Sequence, residues 1–252
     1  MTLRFALSIL ALALLAGCVS GGSSDALGSR EGREQARQAY VQLGLGYLQQ
    51  GLTEQAKAPL KKALDLDSQD AAANAALALV FQAEDEPELA EAHFRKALAS
   101  RPDDSRIRNN YGSFLYARGQ YAQAQQMFAQ AAADTLYPER SRVFENLGLT
   151  ALRQGQRAEA QEYLVKALRL NQRQPRALLE MAELSYEDRH YVPARDYYDR
   201  FSQLSDHSAR SLLLGSRLAN VFEERNKASE LGLQLQRLYP GTPEYQQYLS
   251  EQ

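Results

Sequence analysis

Cysteine and histidine, on which most metal sites depend, are scarce in this chain. Cys18 is the only cysteine among 252 residues, so neither an internal disulfide framework nor a metal site with several thiolates can form. The three histidines, His93, His190 and His207, lie far apart, and none has a second ligand at metal-binding spacing. The sequence also has no glycine-rich phosphate loop and no nucleophile elbow. We therefore expect no catalytic residue, no metal and no cofactor.

Neither sign of charge is in excess. The 29 lysines and arginines and the 31 aspartates and glutamates leave a net charge of −2, so the basic surface typical of nucleic-acid-binding proteins is missing. Glu180, Glu183 and Glu187 share a predicted helix face, which a solvated charged surface explains without any chemistry. With 44% hydrophobic residues and no long low-complexity segment, the chain is expected to fold.

Long hydrophobic runs are also few, and the one that stands out lies at the amino terminus. It follows Arg4 and extends over the twelve residues from Phe5 to Ala16. Twelve helical residues cannot cross the roughly 30 Å of hydrocarbon in a bilayer, and a basic residue followed by such a run is typical of a secretory signal. We predict that residues 1–17 form a signal peptide.

The only cysteine follows that segment directly. Leu15-Ala16-Gly17-Cys18 resembles the bacterial lipobox, which implies cleavage before Cys18 after diacylation of its sulfur. The alternative is an ordinary signal peptide that leaves Cys18 as a free thiol. Val19 is not the aspartate associated with retention in the inner membrane. The resemblance therefore implies a lipoprotein anchored in the outer membrane and facing the periplasm.

The next segment, residues 18–34, is predicted to be the lipidated cysteine and a flexible tether. It is rich in glycine and serine and has no apolar periodicity. As a flexible coil, it has an end-to-end distance of about 20–24 Å. We assign residues 35–252 to the folded domain.

One stretch, from Asn109 to Ala131, shows how the rest is organised. Its apolar residues recur at helical spacing in two short segments that Gly119 separates. Glycine accepts a left-handed turn, so the two helices can fold back antiparallel. Small Gly112 and Ala124 would let the helix backbones approach closely.

The stretch recurs along the chain. Two sets of small residues keep an interval of 34 residues, and both show the same single slip to 36 residues. Coincidence does not explain two sets with one slip. The first set is Gly44, Ala78, Gly112, Gly148, Ala182 and Ser216, and the second is Ala56, Ala90, Ala124, Ala160, Ala194 and Ala228.

This pattern resembles the tetratricopeptide repeat (TPR), a 34-residue helix–turn–helix. Leu43-Gly44, Tyr47 and Ala56 match its motif in the first repeat, and Pro102 closes the second. The resemblance implies an all-α fold, a right-handed superhelical solenoid of six repeats. The predicted repeats are about residues 37–70, 71–104, 105–140, 141–174, 175–208 and 209–242, and residues 243–249 form a short capping helix.

The chain departs from the repeat motif in four ways. It has no tryptophan, and Ser216 and Gly232 degrade the sixth repeat. Two residues are inserted between Thr135 and Arg140; they either alter the step between repeats or bulge outward. In repeat two, Glu86-Pro87 replaces the usual glycine turn. Tyr245, Tyr248 and Leu249 are predicted to cover the end of the last repeat.

In TPR proteins the first helices line a concave wall on which peptides bind. The resemblance therefore implies a partner-binding groove, apolar at its amino-terminal end and polar further along. Alternatively, the tether or a second copy covers the apolar part. Only a fragment of a carboxylate clamp is present, formed by Asn110, Arg142 and Asn146. The predicted groove residues are Val41, Leu45, Leu48, Ala75, Leu79, Asn109, Ser113 and Tyr116.

The lipobox, the tether, the six repeats and the segment from Leu43 to Ala63 together resemble the PilF/PilW family of type IV pilus pilotins. The resemblance implies a monomeric outer-membrane adaptor, not an enzyme. It would bind a secretin subunit and promote its localisation and multimerisation for type IV pilus biogenesis. The alternative is a TPR lipoprotein that serves as a scaffold for peptidoglycan enzymes or for outer-membrane protein assembly. A hydrolase with an unrecognised site has no motif in its favour.

Overall fold

The computed structural model describes residues 28–251, which form thirteen α-helices and no strand. The signal peptide, Cys18 and most of the predicted tether lie outside these residues. The helices are α1 (Arg30–Gln49), α2 (Thr53–Leu66), α3 (Ala71–Ala83), α4 (Pro87–Ser100), α5 (Ser105–Ala117), α6 (Tyr121–Ala133), α7 (Arg140–Arg153), α8 (Arg157–Leu170), α9 (Pro175–Glu187), α10 (Tyr191–Ser202), α11 (Ala209–Val221), α12 (Arg225–Leu238) and α13 (Pro243–Ser250).

Consecutive helices pair into six hairpins, which confirms the predicted all-α repeat solenoid. The chain divides into two compact units, Met1–Pro102 and Asp103–Gln252. In the first unit, α1 pairs with α2 and α3 with α4. In the second unit, four hairpins follow from α5 to α12, and α13 packs against α11 and α12.

Helix α1 begins earlier than the sequence pattern predicts. Ser29 is its N-cap and accepts a hydrogen bond from the Gly32 amide at 2.9 Å. Glu31 adds a favourable acidic group in the first turn. The prediction of a tether is therefore wrong for residues 30–34, which the serine cap brings into the helix.

The turn within each hairpin requires one residue with a positive φ. Glycine holds this position in three repeats, with φ values of 73–74°. In repeat two, Asp85, with φ 57°, holds the glycine's position, and Pro87 is tolerated because it opens α4. The six turn residues are Gly51, Asp85, Gly119, Gly155, Arg189 and Glu223.

Within the hairpins, a small residue on the first helix faces a large one on the second. A Cβ added to Gly44 would lie 2.5 Å from Leu60 Cγ, and one added to Gly112 would lie 2.7 Å from the Phe128 ring. Leu60 and Phe128 are fully buried. The glycine thus makes room for the neighbouring side chain, and this contact forms the core of the hairpin.

The sixth hairpin replaces both members of this contact. Ser216 stands where other repeats have glycine or alanine, and its hydroxyl donates to the Ala228 carbonyl at 3.1 Å. Gly232 occupies the position of the large residue of the other repeats, and Tyr248 from α13 packs against this glycine. Tyr245 and Tyr248 cover this end as predicted, but Leu249 is 49% exposed and does not.

The inserted residues between α6 and α7 form an exposed turn. Leu136 at its tip is 89% exposed, as expected for an outward bulge. Side-chain hydrogen bonds hold its base: Ser105 donates to Asp134 at 2.9 Å, and Arg140 Nε donates to the Ala132 carbonyl at 2.8 Å.

Candidate functional site

The predicted groove residues of the first unit are more deeply packed than the sequence suggested. Val41 is 4% exposed and packs against Ala63 and Ala73. Ala75 is 6% exposed. The prediction of an open apolar wall is wrong at Val41 and Ala75, because α1 packs against α3 as well as against α2.

The other three predicted residues of that unit keep part of their surface. Leu45 and Leu48 are half-buried and pack against the cluster around Leu77 and Val80. Leu79 is also half-buried. Partner binding at these leucines stays a prediction.

In the second unit, all three predicted residues make side-chain hydrogen bonds inside the protein. Asn109 is buried, and its side-chain oxygen accepts from Asn146 Nδ2 at 3.2 Å. The Ser113 hydroxyl donates to the Asn109 carbonyl at 3.0 Å. Tyr116 is half-buried and lines a cavity.

That cavity, of about 440 Å³, and an adjoining one of about 170 Å³ form what we call the arginine groove. Tyr116, Leu149 and Arg176 line both cavities, so the two lie side by side. Leucines from α7 and α9 give the groove apolar surface, and four arginines surround it. The larger cavity is lined by Tyr116, Leu149, Leu152, Arg153, Arg157, Arg176, Leu179, Glu180, Glu183, Leu184, Glu187 and Arg210.

Arg210 holds two of the groove's carboxylates. It donates to Glu180 Oε1 at 2.9 Å and to Glu180 Oε2 at 2.7 Å, a bidentate pair, and it also binds Glu183. The hydrogen bond to Glu180 raises the pKa of Arg210, whereas burial raises the pKa of Glu183. The interpretation of these glutamates as a solvated surface is wrong for Glu180, which is buried.

Arg157 neutralises the third carboxylate of the groove, Glu187. It also donates to Asp188 and to the Leu184 carbonyl, at 2.8 and 2.7 Å. These bonds fix the guanidinium of α8 to the end of α9. Every glutamate that lines the groove is therefore paired within the protein.

The remaining two arginines of the groove, Arg153 and Arg176, form no ion pair. Arg153 Nε donates to the Tyr116 hydroxyl at 3.2 Å and forms no ion pair within residues 28–251. Arg176 has no carboxylate within ion-pair distance in that range. Burial raises the pKa of Glu145, and the positive charge of Arg176 opposes that rise. A carboxylate oxygen of Glu145 accepts a hydrogen bond from the Ala177 amide at 3.2 Å. Neither guanidinium therefore has a carboxylate in direct contact within the described residues.

Two of the groove's arginines, Arg176 and Arg210, belong to a series that recurs along the chain. Sequence reasoning did not recognise this series. Four first helices carry an arginine in their first turn, as the second residue in three of them and as the third in α7, at intervals of 36, 34 and 34. The predicted fragment of a carboxylate clamp is not assembled, because Asn146 bonds to Asn109 and Arg142 pairs with Glu139. The four arginines are Arg106, Arg142, Arg176 and Arg210.

Other chemistry finds no support in the part of the chain that the structure describes. No group of three histidine, aspartate or glutamate residues in it is placed to hold a metal. His93 Nδ1 lies 2.9 Å from Asn74 Oδ1, and its ring stacks on Phe81. Between residues 28 and 251, no helix combines the length and apolar character that a membrane span requires.

Comparison with known proteins identifies the family. Tetratricopeptide repeat models match residues 41–105 and 145–209, and another matches residues 103–173. The chain is 57% identical over 251 residues to the type IV pilus assembly protein PilF of Pseudomonas aeruginosa, with all of both chains covered. It belongs to the PilF family.

Two solved structures of family members share the fold. The solved structure of Pseudomonas aeruginosa PilF is 59% identical in sequence and superimposes with a TM-score of 0.86. The match covers 88% of this chain and 100% of that one. PilW, a widely conserved type IV pilus biogenesis factor, is 30% identical, with a TM-score of 0.73 and coverage of 85% and 99%. The family member described here is thus a non-enzymatic adaptor of type IV pilus biogenesis.

Proposed function

We propose that the chain is a pilotin. It is anchored in the outer membrane through lipid on Cys18, faces the periplasm and binds a secretin subunit of the pilus machinery. Binding delivers the secretin to the outer membrane and promotes its multimerisation. The lipid directs the protein to the outer membrane, and the repeats bind the secretin subunit.

The observation that carries this proposal is the full-length similarity to a pilus assembly protein, at 57% identity, which includes the segment with the lipobox. The described part consists of six helical hairpins and a capping helix, and it carries a groove with apolar surface and two arginines that form no ion pair. Such a surface supports binding to a segment of another protein. Two or more acyl chains, at about 0.8 kcal/mol per buried CH₂, would make the anchor stable.

Deletion of the gene and the variant Cys18→Ala test the proposal in the native host. Membrane fractionation locates both proteins, and unboiled samples report heat-resistant secretin multimers. We expect the deletion strain to contain monomeric secretin. Cys18→Ala should leave the outer membrane, and secretin multimers should decrease or move to the inner membrane.

Persistence of multimers in the outer membrane of the deletion strain would exclude a pilotin. A cell-wall defect in that strain would then favour a scaffold for peptidoglycan enzymes. The wild-type gene supplied in trans is the control for both strains, and it should restore the multimers.

A further inference from the structure

The arginine groove contains one arginine whose expected partners are missing from the chain. Arg210 binds Glu180 and Glu183 of the preceding repeat. One repeat earlier, Arg176 has the place of Arg210, and the positions 34 residues before the two glutamates hold Asn146 and Leu149. The carboxylates that neutralise Arg210 thus have no counterpart for Arg176.

The two residues at those positions, Asn146 and Leu149, line a cavity together with Arg176. This cavity, of about 170 Å³, is also lined by Tyr116 and Ser113. It adjoins the larger cavity, and Leu149 contributes apolar surface to both. A carboxylate can enter there and meet an arginine, and an apolar group beside it meets leucine.

Arg153 strengthens the positive character of this place. Its guanidinium is held beside Tyr116 by the hydrogen bond to the hydroxyl. The groove's three glutamates bond to Arg210 and Arg157, and none of them forms an ion pair with Arg153 or Arg176. The guanidinium of Arg176, which has no carboxylate in contact, is locally complementary to an acidic group.

We infer that the arginine groove binds a peptide segment of the partner protein in which an acidic side chain lies next to a large apolar one. The partner's carboxylate pairs with Arg176 in the same way that Glu180 and Glu183 pair with Arg210. The apolar side chain packs against Leu149, Leu152 and Leu179. This inference rests on the proposed function, because it names the part of the secretin that the adaptor recognises.

Charge reversal at Arg176 tests the inference in the full-length chain. Secretin recovery on the purified chain and anisotropy with overlapping synthetic secretin peptides measure binding. Loss of a charge-assisted hydrogen bond should weaken binding by about tenfold or more for Arg176→Glu. Arg169→Glu, an exposed site outside both cavities, is the matched control and should bind within about twofold of wild type.

The peptides provide the second measurement. Those that bind should contain an acidic residue, and its change to glutamine should weaken binding to wild type. Its change to lysine should restore binding to Arg176→Glu. Arg176→Gln, which keeps a similar shape, should fold as wild type does and show a weaker dependence of binding on salt.

Three results overturn the inference. Helical Arg176→Glu could bind like wild type, or the bound peptides could lack acidic residues. Leu45→Glu or Leu79→Glu could abolish secretin recovery while Arg176→Glu does not, which would place binding in the first unit and leave the proposed function intact. If the wild-type chain recovers no secretin and secretin assembly is normal without the gene, the proposed function fails as well.

Discussion

At the scale of single residues, glycine decides how closely two helices approach. Gly44 and Gly46 lie in the same helix, but a Cβ on Gly44 would lie 2.5 Å from Leu60, and one on Gly46 would meet nothing within 4 Å. We expect Gly44→Ala to lower the free energy of unfolding by about 1–3 kcal/mol through overpacking. Urea denaturation measures this change.

Gly46→Ala is the matched control, with the opposite sign. Alanine loses less backbone entropy on folding into a helix, so this variant should gain about 0.5–1 kcal/mol. Equal loss of stability in both variants would show that the helix, and not the contact with Leu60, accounts for the effect.

Tyr198 gives a prediction for pH. Burial raises the pKa of its hydroxyl to about 12, from an ordinary value of about 10 in the unfolded chain. The folded state therefore keeps its proton over a range in which the unfolded state loses it. The contribution of Tyr198 to the free energy of unfolding is therefore fully present below pH 10 and is lost as the pH rises toward 12.

Tyr198→Phe removes this dependence. The hydroxyl has no hydrogen-bond partner among residues 28–251, so the variant should be at least as stable as wild type at pH 7. Between pH 10 and 12, it should become the more stable of the two by up to about 2.7 kcal/mol. Urea midpoints across that range measure the difference, and parallel curves would contradict the assignment.

At the scale of elements, α13 completes a repeat that is incomplete by itself. Tyr248 contacts Gly232 and packs on the cluster of Leu212, Leu231 and Leu235. We expect Tyr248→Ala to lower the free energy of unfolding by about 1.5–3 kcal/mol. Hydrogen exchange should locate the loosening in α11 and α12.

The adjacent Leu249→Ala is the control for that variant. Leu249 is half exposed, so its loss should cost less than about 0.5 kcal/mol. If the two variants lose the same stability, α13 does not act through the tyrosine.

Hairpins were predictable from sequence because each depends on contacts between residues close in the chain. The recurrence of Gly44 and Ala56 at intervals of 34 predicted both helices and their pairing. The burial of Val41 was not predictable in this way, because Ala73 of the next repeat covers it. Exposure on the wall depends on contacts between repeats, which a single-repeat pattern does not describe.

At the scale of the whole molecule, the fold class and the family followed from sequence, but the detail of the candidate site did not. The repeated arginine is visible when the repeats are aligned. Its state of pairing depends on whether the preceding repeat supplies Glu180 and Glu183 or Asn146 and Leu149. That distinction requires the three-dimensional neighbours of each side chain.

The tyrosines of α13 also have a consequence for growth of the repeat array. They lie against α11 and α12, where a seventh hairpin would stack. An engineer who wished to lengthen the array would have to remove residues 243–252 and restore a large side chain at Gly232. Helix α13 thus blocks the addition of a repeat at this end. Duplication of an internal hairpin is the simpler way to obtain a longer array.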